Sequence, residues 1–249
     1  MAAIHEEVAL ALWQAETAVA FTGAGSSTAS GLPDFRSTRG LWRQFPEALA
    51  SRETLEHALE ERYEEMRAFY LWRLETLQKV DPNPVHRILA QWEQRGLLAG
   101  IITQNVDGLH QRAGSQKVFP LHGDLHTIRC QRCGRFFRPE AMAQGSCPVC
   151  GGRLRPHVVL FGEALPRDVW DGALDLTRQA DLMLAVGSSL QVYPAASLPR
   201  LAAQKGKLII INQEPTPLDD LAFRILHQDA GEALAAIDRE LSLRIPPSN

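Results

Sequence analysis

Apolar positions recur along this chain in two rhythms. Between residues 4 and 17 they fall at Ile4, Val8, Ala11, Leu12 and Ala15, the spacing of an amphipathic helix. Val19-Ala20-Phe21 is then a short unbroken apolar run, and further runs of this kind lie at Leu97–Thr103, Val118–Leu121, Val158–Phe161, Leu182–Val186 and Leu208–Ile211. Each has the length and apolar character of a buried strand. Helical patterns stand between them, at about Glu53–Lys79, Val85–Gln94, 167–179 and 195–204, and the last helix is expected over about Ala230–Leu241. Asp81-Pro82-Asn83-Pro84 ends the long charged helix, and Arg95-Gly96 closes the one after it. Fully apolar strands alternating with helices predict an α/β fold, a parallel sheet covered by helices on both faces.

Polar motifs follow four of the predicted strands. They are Thr22-Gly23-Ala24-Gly25, Thr103–Asp107, Gly187–Gln191 and Asn212-Gln213-Glu214. Ligands of open parallel sheets bind beyond the carboxyl ends of strands, so these four ends point to one shared cleft. At the first of them, strand, glycine turn and helix start form a phosphate cradle, because glycines permit close approach and unpaired N–H groups face an anion. The dinucleotide fingerprint is nonetheless incomplete, since Thr28 stands where a third glycine is wanted. A plain tight turn between strand and helix is the alternative reading of Gly23 and Gly25.

Residues 126–155 break the rhythm and hold all four cysteines, as Cys130-Gln-Arg-Cys133 and Cys147-Pro-Val-Cys150. Two C-x-x-C pairs, each followed by glycine, supply the four thiolates of one tetrahedral zinc site. Four sulfurs leave no open coordination position, so one Zn2+ is expected to be structural, stabilising a segment too short for a core of its own. Two disulfides are the competing reading, disfavoured if the protein is intracellular.

The length of 249 residues suits one large domain with a modest insertion, and 45% hydrophobic with 22% charged residues is ordinary for a globular protein. A net charge of −3 gives no bulk attraction to nucleic acid or to an anionic membrane, and no apolar run reaches membrane-spanning length. The first residues lack a basic leader, so a cytoplasmic location is expected.

Taken together, these segments resemble the sirtuin family of NAD-dependent protein-lysine deacylases. The resemblance is carried by G-A-G-S-S-T-A-S-G-L-P-D-F-R at 23–36, T-Q-N-V-D-G-L-H at 103–110 and L-H-G at 121–123. It continues through the two cysteine pairs, V-V-L-F-G-E at 158–163, G-S-S-L-Q-V at 187–192 and I-N-Q-E at 211–214. Small replacements occur at Ser26, Ala29 and Ser188. The resemblance implies a Rossmann-like large domain (1–42, 80–125 and 156–249) and a small domain made of a helical module (43–79) and a zinc ribbon (126–155). NAD would lie in the cleft between them, and an acylated lysine of a protein or peptide would enter from the opposite side.

Roles follow from this implication together with side-chain chemistry. His122 is the expected general base for a ribose hydroxyl, with Asn105 beside it in catalysis. Gln104, Asn105 and Asp107 suit ribose hydroxyls and the nicotinamide carboxamide, and His110 is expected to orient their loop. Gly23, Ala24 and Gly25 would hold phosphate. Asp34, Phe35 and Arg36 would reach the reactive end of the cofactor, where Phe35 excludes water and Arg36 pairs with phosphate. Gly187, Ser188, Ser189, Asn212, Glu214 and Ala230 complete the expected NAD contacts. Val159, Phe161, Gly162 and Val192 lie in the two segments expected to sandwich the substrate peptide by strand addition. The chemistry implied releases nicotinamide and O-acyl-ADP-ribose.

On the long helix, Tyr70 and Arg73 are three apart and share a face with Met66, Leu74 and Leu77. Tyr-x-x-Arg resembles the sirtuin branch that removes succinyl and malonyl groups, in which a guanidinium reads the acyl carboxylate. An Arg paired with Glu on a charged helix is the plain alternative. Mono-ADP-ribosyl transfer, a non-catalytic NAD- and zinc-binding module, and a hydride-transferring oxidoreductase are the competing functions. The last lacks a hydride partner and a complete glycine fingerprint.

Overall fold

A computed structural model of the chain describes residues 2–34 and 62–244. Its centre is a parallel sheet of β1 (Ala18–Thr22), β2 (Ile101–Thr103), β3 (Val118–Pro120), β7 (Leu182–Val186), β8 (Lys207–Ile211) and β9 (Arg224–Leu226). The spatial order is β3-β2-β1-β7-β8-β9, and every pairing within it is parallel. The chain leaves β1 for β2 on one side and returns later as β7 on the other. The switch of direction therefore falls between β1 and β7, where such sheets bind ligands.

Helices cover both faces, as the alternating pattern requires. On one face α1 (Ala2–Gln14), α3 (Pro84–Gln94) and α7 (Ala230–Arg244) bury Val8, Leu12, Leu89, Trp92, Leu234 and Ile237 against Ala20, Leu184 and Ile209. On the other, α5 (Arg167–Gln179) and α6 (Ser197–Lys205) bury Ala173, Leu176, Leu198 and Ala202 against Phe21, Met183 and Ile210. β1 and β7 are buried along their whole length, so both carry apolar residues on each face. Burying one such large side chain contributes roughly 1.5–3 kcal/mol.

A second, antiparallel sheet is ordered β5-β4-β6, from β4 (Gly123–Cys130), β5 (Phe136–Phe137) and β6 (Leu154–Val158). It packs with α2 (Tyr63–Gln78) around Met66, Tyr70, Leu125, Ile128, Met142 and Leu154. Its long strands run across the expected boundaries at 125/126 and 155/156.

Element limits differ from the sequence reading in informative places. The run Val158–Phe161, expected as a strand, is the last residue of β6 followed by a turn. Gly162 takes φ +86 and the Glu163 amide donates to the Leu160 carbonyl at 2.9 Å, which ends the extended backbone. Leu97–Gly100 is likewise not strand, because the amides of Leu97 and Leu98 both return to the Trp92 carbonyl. The helix expected over 53–79 is observed as α2 from Tyr63, and its first part lies outside the described residues. α4 (Leu109–Arg112), β4, β5 and β9 were not expected. β4 and β5 carry charged, polar and aromatic residues of a half-exposed small sheet, which no apolar run reveals.

Candidate active site

Two glycine turns meet backbone to backbone at the switch point. The Gly25 amide donates to the Gly187 carbonyl at 2.9 Å, and the Gly23 amide to Val186 at 3.1 Å. A Cβ on Gly23 or Gly25 would stand within 2.9 Å of Gly187 backbone, and one on Gly187, at φ +61, within 2.3 Å of the Ser26 amide nitrogen. These three glycines are needed for contact between two turns. The first turn continues as 3-10 helix over Ala24–Ser26 and Thr28–Ser30.

Next to this junction stand Gln104 and His122, delivered by the ends of β2 and β3. Gln104 Nε2 donates to Ser188 Oγ at 2.8 Å, tying the β2 loop to the β7 loop. His122 Nδ1 lies 3.0 Å from the Gln104 carbonyl oxygen. A carbonyl only accepts, so Nδ1 carries the proton and Nε2 retains its lone pair. Burial lowers the His122 pKa from its ordinary value, and the bond to Gln104 partly opposes this. The neutral, proton-accepting form is thereby favoured near neutral pH.

Behind the cleft lies a buried polar network. Asn105 Nδ2 points to the Gly23 carbonyl, Ser26 Oγ and Ser27 Oγ at 3.1, 3.0 and 3.1 Å. Ser27 Oγ donates to Asp107 Oδ2 at 2.7 Å, while Asp107 Oδ1 accepts the Leu109 amide at 2.9 Å. His86 Nδ1 accepts the Asn83 amide in a capping box at the start of α3, so its Nε2 hydrogen faces Ser27 Oγ at 3.3 Å. His110 Nε2 bonds Thr22 Oγ1 at 2.9 Å, and Thr22 passes the chain to Thr103 Oγ1 at 2.8 Å. The rings of His86 and His110 meet edge to face with centroids 4.8 Å apart. Burial lowers the pKa of His86 to about 4 and that of His110 well below the usual histidine range. His110 thus ties α4 to the ends of β1 and β2. Ser27, His86, Thr22 and Thr103 were not singled out from the sequence. Asn83-x-x-His86 at the mouth of a helix was the available signal for one of them.

The loop after β6 is clamped to the small sheet. Arg155, fully buried, donates to Glu163 Oε1 at 2.5 Å and to the Val158 carbonyl at 3.0 Å. Arg129 adds a bond to the same carboxylate at 3.2 Å, and Glu163 Oε2 accepts the Leu160 amide at 2.9 Å. The Val159 amide donates to the His122 carbonyl at 2.8 Å, so the clamped loop and the histidine share one backbone contact. Phe161 and Gly162 are exposed, and Val159 and Val192 half-buried. On the β7 side the buried Leu190 adopts φ 54, an uncommon left-handed conformation for a branched residue.

The other expected residues fall around this centre unevenly. Ser188 is buried and Ser189 half-buried in the turn after β7. Asn212 follows β8 and donates to the Glu214 carbonyl at 2.7 Å, with the Glu214 side chain exposed. Ala230 opens α7. Asp34 is half-buried; Phe35 and Arg36 lie outside the described residues. Tyr70 is buried on α2, and the Arg73 guanidinium lies 5.9 Å over the Phe69 ring. Burial lowers the Arg73 pKa, and the charges of Tyr70 and Asp107 act in the opposite sense.

The four cysteine sulfurs lie within 4.8 Å of one another, with Cys130–Cys150 at 3.5 Å and Cys133–Cys147 at 3.8 Å. Sulfur–sulfur separations in a disulfide are about 2.05 Å. A tetrahedral ion with bonds of about 2.3 Å needs roughly 3.8 Å between sulfurs. The cluster therefore fits one zinc ion and not two disulfides. The amides of Arg132 and Cys133 approach Cys130 Sγ at 3.4 and 3.5 Å, as thiolate ligands require.

Parallel strands, paired glycine turns at the switch point and a histidine poised beside them define a nucleotide-type cleft attached to a four-cysteine metal ribbon. The Sir2 family model matches residues 23–194, from the first glycine turn to beyond the second. The chain belongs to the Sir2 family. It is 51% identical over 230 residues to NAD-dependent protein deacetylase 1 of Geobacillus kaustophilus, covering 90% of this chain and 93% of that protein. It is 43% identical over 254 residues to the NAD-dependent protein deacylase of Thermus thermophilus, covering 98% and 94%. The solved complex of a mutant Sir2 homologue with ADP-ribose superposes with TM-score 0.91 at 37% identity, covering 98% of this chain and 99% of that one.

Proposed function

We propose that this protein removes acyl groups from lysine side chains, consuming NAD and one water and releasing nicotinamide, free lysine and O-acyl-ADP-ribose. The carrying observation is His122: its Nδ1 proton is fixed by Gln104, and Gln104 is fixed by Ser188 across the junction of the two glycine turns. Bound NAD supplies a ribose carbon that an acyl oxygen attacks as nicotinamide leaves. His122 Nε2 takes the proton of a ribose hydroxyl, the role for which a neutral imidazole near pH 7 is suited. Gly23, Ala24, Gly25, Gly187, Ser188 and Ser189 surround the phosphates. Gln104, Asn105 and Asp107 serve the nicotinamide ribose and carboxamide, with Asp34, Phe35 and Arg36 closing that end. Asn212, Glu214 and Ala230 serve the adenosine. The peptide lies between the loops holding Val159, Phe161 and Gly162 on one side and Val192 on the other. The zinc ion is structural, and the enzyme is cytoplasmic. Turnover of an acetyl-lysine peptide with NAD, followed as nicotinamide and O-acetyl-ADP-ribose, tests the proposal. ADP-ribosylated protein formed with nicotinamide but without O-acetyl-ADP-ribose would favour ADP-ribosyl transfer.

A second reading concerns the acyl group. Tyr70 is buried on α2, and Arg73, one turn further along the same helix, is half-buried. A guanidinium and a phenol on one helix face favour succinyl and malonyl groups, whose carboxylate they would bind.

A further inference from the structure

Charge is distributed unevenly over this chain. Residues 126–155 hold six arginines and a single acid, Glu140, a formal +5 within a protein of net −3. Four thiolates on a zinc ion remove two of those charges and leave about +3. Two of the arginines, Arg129 and Arg155, are held by Glu163. Arg132, Arg135, Arg138 and Arg153 are exposed, and none has a carboxylate partner among the described residues. Arg132 donates to the Cys150 carbonyl at 3.1 Å, and Arg153 stacks over Tyr63 at 4.9 Å. Arg135 and Arg138 flank β5, where Phe136 is 60% exposed; Val149, 54% exposed, sits on the neighbouring knuckle.

This surface is continuous with the loop assigned to the peptide. The Phe136 ring contacts His157 edge to face at 5.2 Å, and His157 is two residues before Val159. We infer that the exposed arginines of the zinc ribbon, with Phe136, form a docking surface for acidic stretches flanking the acylated lysine of a protein substrate. The inference rests on the deacylase reading above and adds a substrate class to it. Complementary charge recruits such a partner and raises its encounter rate. The four arginines border one small sheet whose β6 runs into the peptide loop. A flexible acidic segment suits it better than a nucleic acid, whose binding needs a longer basic track.

The test compares acetyl-lysine peptides that differ only in flanking triplets of Asp, Ser or Arg. Each is assayed on the zinc-loaded wild type and on Arg135→Glu/Arg138→Glu, with Arg135→Gln/Arg138→Gln as a milder pair. In the wild type at low salt, kcat/KM for the Asp peptide should exceed that for the Ser peptide about tenfold, mostly through KM, and the advantage should vanish by roughly 0.5 M salt. The Glu pair should abolish or reverse the preference while the Ser peptide is turned over unchanged. An equal Asp-to-Ser ratio in wild type and variant overturns the proposal, as does equal loss on the Ser peptide with intact zinc content. A duplex oligonucleotide that binds the wild type more tightly than the Asp peptide, and is lost in the Glu pair, assigns the surface to nucleic acid and also overturns it. If no acyl peptide is consumed, the deacylase reading fails separately. Fluorescence anisotropy of labelled Asp and Ser peptides, without turnover, then decides the docking surface by the same comparison.

Discussion

The state of His122 is set by one carbonyl. Because Gln104 takes its Nδ1 hydrogen at 3.0 Å, Nε2 is the basic nitrogen, and burial keeps the ring neutral below the usual histidine range. His122→Ala is expected to lower kcat by at least about 100-fold, the range of a lost general base. On the acid side, kcat/KM should fall with an apparent pKa below 6.5, because the depressed pKa keeps the base unprotonated to lower pH. A limb centred above 6.5 would contradict that assignment. His86 makes a stability prediction of its own. Its folded pKa, about 4, lies under the unfolded value of 6.5, so below pH 6.5 only the unfolded chain gains the proton. Stability should be retained above pH 6.5 and be lost progressively as pH falls to about 4, by on the order of 3 kcal/mol. Chemical denaturation at pH 7, 6, 5 and 4.5 measures this, and His86→Gln should lessen the dependence, with His110 accounting for a remaining part. Much of this centre was legible in the sequence, since Gly23, Gly25, Gln104, His122 and Gly187 each follow an apolar run at a strand end. The support behind it was not. Thr22, Ser27, His86 and Thr103 are ordinary residues whose partners lie up to 88 positions away, and only folding brings them together.

At the scale of elements, the clamp between β4, β6 and the turn after Val158 decides where the loop proposed to hold the peptide sits. Removing Glu163 would leave Arg155 charged at 0% exposure with no counter-ion. Glu163→Ala should therefore cost about 3–5 kcal/mol, and the surviving folded enzyme should show a raised peptide KM with a smaller change in kcat. Thermal unfolding and steady-state kinetics separate the two effects. The apolar run at 158–161 reads as strand from its composition, although only Val158 and Leu160 are buried. Whether such a run stays extended depends on Gly162 and the Glu163 carboxylate, which turn the backbone. The zinc ribbon shows the opposite case: its strands mix polar and apolar residues, so no apolar run marks them, yet its cysteine spacing specifies the metal site directly. Chelation should remove one zinc per chain and unfold β4–β6, seen as rapid amide exchange there, while the parallel sheet keeps its protection.

For the whole molecule, alternation of apolar strands and helices was enough to specify a parallel sheet, but not its order. The position of β7 beside β1 follows from glycine turns packing on each other, a contact between residues more than 160 apart. That contact places the cleft, while Tyr70 and Arg73 lie on α2, which packs on the small sheet. Arg73→Met should reduce desuccinylation at least about tenfold, the value of one lost charged hydrogen bond, and leave deacetylation within a few-fold. Equal loss of both activities would remove Arg73 from acyl selection. The most direct test of the central claim is product analysis of purified zinc-loaded protein with NAD and an acetyl-lysine peptide. The proposal predicts nicotinamide, deacylated peptide and O-acetyl-ADP-ribose in equal amounts, all lost in His122→Ala. Deacylated peptide formed without NAD, or nicotinamide released with the acyl-lysine left intact, would contradict it.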